Sequence, residues 1–277
     1  MAWLVDLGKN GLSRSGENFN WYLLAGAILV FGLWEAFLPR RIIQSPLPLR
    51  LGSHLTLFLL AFGLSLIVLP LPIFAFALAM EKTRWGLWVA TRIPWYVRFF
   101  ASLLILDFVY YAVHIAFHSF GPLWRVHSIH HSDVDFDLTT GFRAHPLEPL
   151  MRTAAQFAVV AVVAAPAPAI LVYSWVSVAH SLFAHLNVTL PRRLDRVLHF
   201  AIVTPQFHEV HHSIDLAEQK SNYGEIFPWW DRLFGTANEP PRDGASLRFG
   251  LDKWQSKPRL NPVRILVSPF VPASRAE

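Results

Sequence analysis

Hydrophobic residues in this chain are gathered into long blocks and are not spread along amphipathic faces. The first block covers residues 21–38, and the second, residues 55–80, contains no charged side chain. At a rise of about 1.5 Å per residue, the second block can cross a hydrocarbon core about 30 Å thick. Pro70 and Pro72 lie inside it and predict a kink. The pattern therefore predicts helices that span a membrane.

Two later blocks continue this pattern. Residues 99–116 contain one charged side chain, Asp107, and residues 153–190 contain none. Pro166 and Pro168 interrupt the last block near its middle, so we predict two helices joined by a turn. Such a hairpin returns the chain to the side that it left, which allows histidines before and after it to share one site.

The segments between and after the blocks have a different composition. Residues 81–98 mix tryptophan with lysine and arginine, which predicts a helix lying on the membrane surface. The chain becomes polar after Pro191, and the proline-rich part after Gly244 predicts a loosely ordered extension. We therefore divide the chain into N-terminal membrane helices with the interfacial helix (1–98), a histidine-rich central region (99–241) and a C-terminal tail (242–277).

Composition and charge refine this picture. With 53% hydrophobic residues and a positive mean hydropathy, we predict an all-α integral membrane protein. It has about three spanning helices, a proline-broken hairpin that is re-entrant or spanning, and a histidine-rich helical cap. Arg40, Arg41 and Arg50 follow the first block, which predicts that this loop and the cap lie on the cytoplasmic face. No compact basic run or nucleic-acid motif indicates binding to DNA or RNA.

The candidate chemistry lies in the histidines. The chain has no cysteine, which excludes disulfides, thiolate metal sites and thiol nucleophiles. Two histidines are spaced i, i+4, and a His-x-x-His-His pattern occurs twice. On a helix, residues three or four apart lie about 5–6 Å from each other on one face, so two imidazoles can hold one ion. The adjacent histidine of each pattern points elsewhere and can reach a second ion. The predicted metal ligands are His114, His118, His127, His130, His131, His185, His208, His211 and His212.

Other residues are candidates for supporting these ligands, because a histidine bound to a metal usually donates its second N–H to a carboxylate or a carbonyl. Asp107 stands out, since an ionisable group inside an apolar helix is costly. The alternative for Asp107 is a carboxylate paired with an arginine at the interface. We expect His54 and His199 to face solvent or the interface. The predicted supporting residues or additional ligands are Asp107, Asp133, His145, His180, Glu209 and Asp231.

In this order and spacing, the motifs resemble the fatty acid hydroxylase / sterol desaturase superfamily over residues 114–236. The matching motifs are Asp107 with Tyr110, Tyr111 and His114; His114 with His118; Trp124 to Asp133; Arg143-Ala-His-Pro-Leu-Glu148; His185-Leu-Asn187; His208 to Ser213; Asn222-Tyr-Gly224; and Trp230 to Thr236. Two positions depart from the family pattern. Ile115 stands where an arginine is frequent, and Ser221 stands near the Asn-Tyr-Gly motif, where an aspartate is common.

The resemblance implies a membrane oxidoreductase in which residues 99–241 form a fatty acid hydroxylase-like catalytic region. It implies two iron ions, with zinc as a substitute in purified or non-native protein. It further implies hydroxylation or desaturation of a fatty acyl chain, a sterol or a related lipid, with O2 and a separate electron-transfer protein. Three alternatives remain open: a histidine-rich membrane metal transporter, a metal-dependent membrane hydrolase, and a non-catalytic metal-binding relative. The lipid, the choice between hydroxylase and desaturase, and the oligomeric state are left undetermined.

Overall fold

The computed structural model describes residues 12–69, 72–83, 85–89, 91, 93–239, 247–254 and 260–271. Helices dominate this part of the chain, and its only β-type pairings are two isolated bridges, so the predicted all-α class is confirmed. Pro70 lies outside the described residues, as do residues 1–11, 240–246, 255–259 and 272–277.

The helices follow the proline pattern of the sequence. A proline is the N-cap of most of the longer helices, where its missing N–H costs no hydrogen bond and its ring ends the preceding segment. In chain order the α-helices are α1 (Leu12–Phe37), α2 (Leu47–Val68), α3 (Ile73–Glu81), α4 (Trp95–Ser119), α5 (Gly121–His127), α6 (Leu147–Val163), α7 (Ala167–Ala184), α8 (Arg192–Ala201), α9 (Pro205–His211), α10 (Leu216–Gln219), α11 (Trp229–Phe234) and α12 (Pro262–Val267). Short 3-10 helices lie at His130–Ser132, Leu138–Phe142, Asp252–Trp254 and Ser268–Phe270.

Three stretches are long and apolar enough to cross a membrane: Leu47–Glu81, α4 and α7. The first contains both α2 and α3, so the predicted kink is a full break in the helix, with Pro72 at the start of α3. The predicted hairpin is also present. Its arms are α6 and α7, and Ala164 between them has a left-handed backbone conformation.

The predicted interfacial helix over residues 81–98 is wrong. Between α3 and α4 the described residues form turns. Here the backbone N–H groups of Leu87 and Trp88 donate to the carbonyls of Val162 and Val163, which lack partners within α6 because they lie in its last turn. The Trp88 indole is buried and donates to Ser102. The described residues of this segment therefore form hydrogen bonds with the carbonyls at the end of α6 and do not form a separate surface helix.

The expectation of a loosely ordered tail is also wrong for the described residues after Gly244. Phe249, Trp254 and Ile265 are buried, and Phe249 pairs with Ser213 in an isolated bridge. Ile265, on α12, packs with Leu57 of α2. These apolar side chains fix the segment against the membrane helices although its proline content suggested disorder.

Gly86 provides a test of the turn that replaces the interfacial helix. Its φ of 110° is unfavourable for other residues, and an added Cβ would lie 2.5 Å from the Ala164 side chain. We expect Gly86→Ala to lower the free energy of unfolding by at least about 2 kcal/mol, measured as a lower thermal midpoint in detergent.

Gly52→Ala is the matched control, because Gly52 lies within α2 and a Cβ there meets nothing within 4 Å. The control should leave the midpoint unchanged or raise it slightly. Equal midpoints for the two variants would contradict the tight contact at Gly86.

Candidate metal centre

All nine predicted ligand histidines converge in two neighbouring groups. The five-histidine group consists of His114, His118, His127, His131 and His211, and the four-histidine group consists of His130, His185, His208 and His212. Within each group the candidate ligand nitrogens lie within 4.8 Å of one another. All nine side chains are buried except that of His118, which is half-buried. Histidines separated by up to about a hundred residues are thus brought to the same place by the fold.

Adjacent histidines in the chain belong to different groups. His130 faces the four-histidine group and His131 the five-histidine group; His212 and His211 divide in the same way. The rings within the two pairs have similar geometry, with centroids 5.5 and 5.6 Å apart and planes at 88° and 85°. This is the divergence that helical spacing predicted for the His-x-x-His-His pattern.

The Nε2 atoms are spaced as ligands of a common ion would be. His114 Nε2 lies 3.1 Å from His127 Nε2 and 3.0 Å from His211 Nε2. In the other group, His185 Nε2 lies 3.3 Å from that of His130 and 3.1 Å from that of His208. Nitrogens bound at about 2.1 Å to one tetrahedral or octahedral ion lie roughly 3.0–3.4 Å apart. Both groups therefore fit a transition-metal ion.

The tautomers of four of these rings are fixed by backbone carbonyls. Because a carbonyl only accepts hydrogen bonds, the Nδ1 that contacts it carries the proton, and Nε2 of the neutral ring keeps its lone pair. The carbonyls of Tyr223, Ser221, Ser181 and Arg143 accept from His114, His211, His185 and His130 at 2.9, 2.7, 2.7 and 3.2 Å. The Nε2 lone pairs then point at one another, an arrangement that repels unless a cation lies between them.

The rings are also held neutral. Burial, reinforced by neighbouring rings, lowers the pKa of His211 to about 3 and holds the pKa values of His130, His131, His208 and His212 well below the usual value. At neutral pH these imidazoles carry no charge, which is the form that binds a metal.

Glu148 is a supporting residue that sequence analysis missed. Its Oε2 lies 3.0 Å from His127 Nδ1, and its Oε1 accepts from the Arg152 guanidinium at 3.1 Å. The carboxylate thus orients His127 as the carbonyls orient the other rings. Glu148 belongs to the motif that carries the family resemblance, and that was the available signal, but no local spacing connects it with His127.

Asp107 and Asp231 act on the backbone and contact none of the nine histidines. Asp107 accepts from the Trp230 indole at 2.8 Å, and Asp231 accepts from the backbone N–H groups of Tyr223 and Gly224 at 2.8 Å each. Both carboxylates therefore hold the loop whose carbonyls orient His114 and His211. They therefore support the histidines indirectly, through this loop, and not by the direct hydrogen bonds that we predicted.

Glu209 forms ion pairs with two arginines of the loop between α1 and α2, and Asp133 pairs with Arg50 in the first turn of α2. Arg40 and Arg41 each lie 2.7 Å from a Glu209 oxygen, and Arg50 lies 2.6 Å from Asp133. Neither carboxylate is hydrogen-bonded to one of the nine histidines in the described chain. The three arginines are therefore paired with carboxylates inside the protein, and the cytoplasmic orientation that we predicted from them stays a prediction.

The remaining histidines lie outside both groups. His145 Nδ1 accepts from the backbone N–H two residues later, at the start of α6, and His180 packs against the Phe183 ring. The prediction that His54 and His199 face solvent or the interface is wrong, because both are buried. Each lies on a helix face that is turned towards the protein. An isolated histidine belongs to no repeated spacing from which this orientation could have been predicted.

A cavity of about 500 Å³ lies next to the histidines. Histidines from both groups line it, including His114 and His130, and α1, α2, α4 and α7 contribute to its walls. Arg152, Glu225 and Ser177 form a polar stretch of the lining. Representative apolar lining residues are Leu24, Ala27, Phe58, Phe62, Trp175 and Val178. The volume and the mainly apolar lining are typical of a site for a lipid-sized organic molecule.

Comparison with known proteins identifies this constellation. Residues 99–236 match the family model described as fatty acid hydroxylase, and these residues contain all nine histidines. The chain therefore belongs to the fatty acid hydroxylase / sterol desaturase superfamily.

The similar curated proteins bear names of lipid-modifying enzymes. Ornithine lipid hydroxylase OlsE of Rhizobium tropici is 33% identical over 52% of this chain and 43% of its own length. Alkylglycerol monooxygenase of Caenorhabditis elegans is 28% identical over 64% of this chain and 34% of its own. Methylsterol monooxygenase 1 of Gallus gallus is 28% identical over 52% and 48%. The chain thus spans less than half the length of these relatives, and no solved structure matches it.

The contact between Glu148 and His127 predicts a loss of metal affinity on substitution. Glu148→Gln keeps the shape but removes the charge that lies 3.0 Å from His127 Nδ1 and pairs with Arg152. We expect metal affinity to fall by roughly 10- to 100-fold, measured as the chelator concentration that removes half of the bound metal.

Glu239→Gln is the control, since Glu239 is exposed and far in sequence from the nine histidines. If the Glu148→Gln variant retains metal as strongly as the unmodified protein does, Glu148 does not orient a ligand.

Proposed function

We propose that this protein is a membrane-bound di-iron monooxygenase that hydroxylates a lipid. The observation that carries the proposal is the joint position of the two histidine groups, which converge on two metal sites lining one apolar cavity. The names of the similar proteins, all lipid hydroxylases or monooxygenases, support the same reaction class.

The donor set and the family together favour iron. Imidazole nitrogens suit iron, zinc and copper. An oxidation requires a redox-active metal, which zinc is not, and the match to the fatty acid hydroxylase family favours iron over copper. Iron bound here would supply the activation of O2. The balanced reaction takes a C–H bond, O2, two electrons and two protons to an alcohol and water. A separate electron-transfer protein would supply the two electrons.

The chain itself would hold and orient the lipid. The apolar walls from α1, α2, α4 and α7 bind an acyl chain or a ring system and exclude water from the histidines. Leu23 of α1 and Phe62 of α2 line the cavity and are each 39% exposed, which supports entry from the side, between these two helices. A lipid could then reach the site directly from the bilayer.

The proposal places the histidine-bearing face on the cytoplasmic side. Besides Arg40, Arg41 and Arg50, its support comes from exposed basic side chains of the histidine-rich region, since cytoplasmic segments carry an excess of lysine and arginine. These residues are Arg125, Arg192, Arg193, Arg196 and Lys220. The same positive charge would attract an acidic electron carrier.

Metal content and oxygen incorporation test the proposed function together. In protein purified in mild detergent and loaded anaerobically with ferrous iron, we expect two iron ions per chain, one for each histidine group. Cells that express the protein under ¹⁸O2 should accumulate a lipid with one ¹⁸O atom, detected by mass spectrometry. His211→Ala/His212→Ala removes one ligand from each group and should abolish both signals.

His199→Ala is the matched control, because His199 is buried but belongs to neither group. Folded protein that binds no iron would overturn the proposal. Bound metal with metal transport and without labelled lipid would instead support the transporter alternative.

A separate prediction concerns the cavity. Ala27 lines it from α1, whereas Ala25 on the same helix is exposed on the outside. We expect Ala27→Trp to fill the lipid site and reduce product formation by at least about 10-fold, with iron content unchanged. Ala25→Trp should retain activity. If both variants are fully active, the lipid binds elsewhere.

A further inference from the structure

Helix α8 has its apolar side turned away from the protein. Val197, Phe200 and Leu194 are 68, 67 and 46% exposed. On the opposite side, His199 is buried and Asp195 is half-buried. A helix that packs on a protein core in water has the reverse arrangement, with its apolar residues inside.

Helix α11 shows the same inversion and lies against α8. Asp231 is fully buried, whereas Leu233, Phe234 and Trp229 are 69, 54 and 44% exposed. The Trp229 indole donates to the carbonyl of Phe200 at 2.6 Å, which joins the two helices. Together they present one apolar surface, the α8–α11 face, formed by Leu194, Val197, Phe200, Trp229, Leu233 and Phe234.

The α8–α11 face continues onto a membrane-spanning helix. Phe108 of α4 is 37% exposed, and its ring contacts those of Trp230 and Phe234 with centroids 5.1 and 5.9 Å apart. Phe108 lies eleven residues before the end of α4, or about 16 Å along the helix. Helix α11 therefore lies beside an apolar and partly exposed stretch of α4, which is one of the helices long and apolar enough to cross a membrane.

Basic residues accompany this apolar surface. Arg192, Arg193 and Arg196 of α8 are exposed, and the single acidic residue of that helix, Asp195, is half-buried. An apolar helix face with arginines at its border is typical of a helix in the interfacial layer, where the arginines meet anionic headgroups.

We propose that the α8–α11 face is embedded in the interfacial layer of the bilayer and that Arg192, Arg193 and Arg196 bind the headgroups of anionic phospholipids. Such a contiguous apolar surface would be a liability in water. In lipid it anchors α8, which precedes the second His-x-x-His-His pattern, and α11, which follows it, so that this part of the histidine-rich cap is fixed to the membrane on both sides of the pattern. The proposed function does not depend on this contact.

Fluorescent probes at single cysteines test the depth of the face. The chain has no native cysteine, so Val197→Cys and Leu233→Cys can each be labelled selectively with an environment-sensitive fluorophore. The full chain is placed in phosphatidylcholine nanodiscs and exposed to lipids with a spin label near the headgroup or to aqueous iodide. We expect strong quenching by the lipid label and weak quenching by iodide at both positions.

Lys220→Cys is the matched control, because Lys220 is an exposed charged residue of the histidine-rich region and is not part of the α8–α11 face. Its probe should be quenched mainly by iodide. Iodide quenching of all three probes would overturn the proposal. Protection from both quenchers, with energy transfer between chains, would overturn it in favour of an interface between two copies.

Charge substitutions test the headgroup contact. The measured quantity is the ratio of protein-associated spin-labelled phosphatidylglycerol to protein-associated spin-labelled phosphatidylcholine. This ratio should exceed one for the unmodified protein and fall at least about twofold in Arg192→Gln/Arg193→Gln/Arg196→Gln. Arg125→Gln, which removes one exposed arginine outside the face, should change this ratio little. An unchanged ratio in the triple variant would refute the role of the α8 arginines.

Discussion

The site depends on one type of interaction, the hydrogen bond that fixes the Nδ1 proton of a buried histidine. Four rings donate to backbone carbonyls, and His127 contacts Glu148 instead. Each such bond directs an Nε2 lone pair into a small volume shared with other lone pairs. The geometry is unfavourable without a cation and favourable with one, so much of the stability of this region is linked to metal binding.

The carbonyls must themselves be held, and this requirement explains several buried carboxylates. Asp231 accepts from the backbone N–H groups of Tyr223 and Gly224, on either side of the Tyr223 carbonyl. Asp107 accepts from the backbone N–H of Ile226 in the same loop and from the Trp230 indole of α11. Further away, the pairs of Arg40 and Arg41 with Glu209 tie the end of α1 to helix α9. Breaking such a buried pair leaves a charge without compensation, which is strongly destabilising.

Features that depend on local sequence could be predicted, and features that depend on distant partners could not. The proline positions, the i, i+4 histidine pair and the two His-x-x-His-His patterns act within one or two turns. They predicted the helix breaks and eight of the nine converging rings, whereas His185 was proposed from its place at the return end of the hairpin. The partner of Glu209 lies at the end of α1, and the contact of Asp133 with Arg50 also crosses between segments. No spacing rule connects such residues. The turns that the described residues form between α3 and α4 were missed for the same reason, as was the packing of the described tail residues, since both close against helices remote in sequence.

The division of adjacent histidines between the two groups has a mechanical consequence. His130 and His131 are linked by one peptide unit, as are His211 and His212, and consecutive Cα atoms are about 3.8 Å apart. The separation of the two histidine groups is therefore limited by covalent bonds at two places and depends less on how the membrane helices pack. Fluctuations of helix packing would then move both groups together and leave the distance between them nearly unchanged.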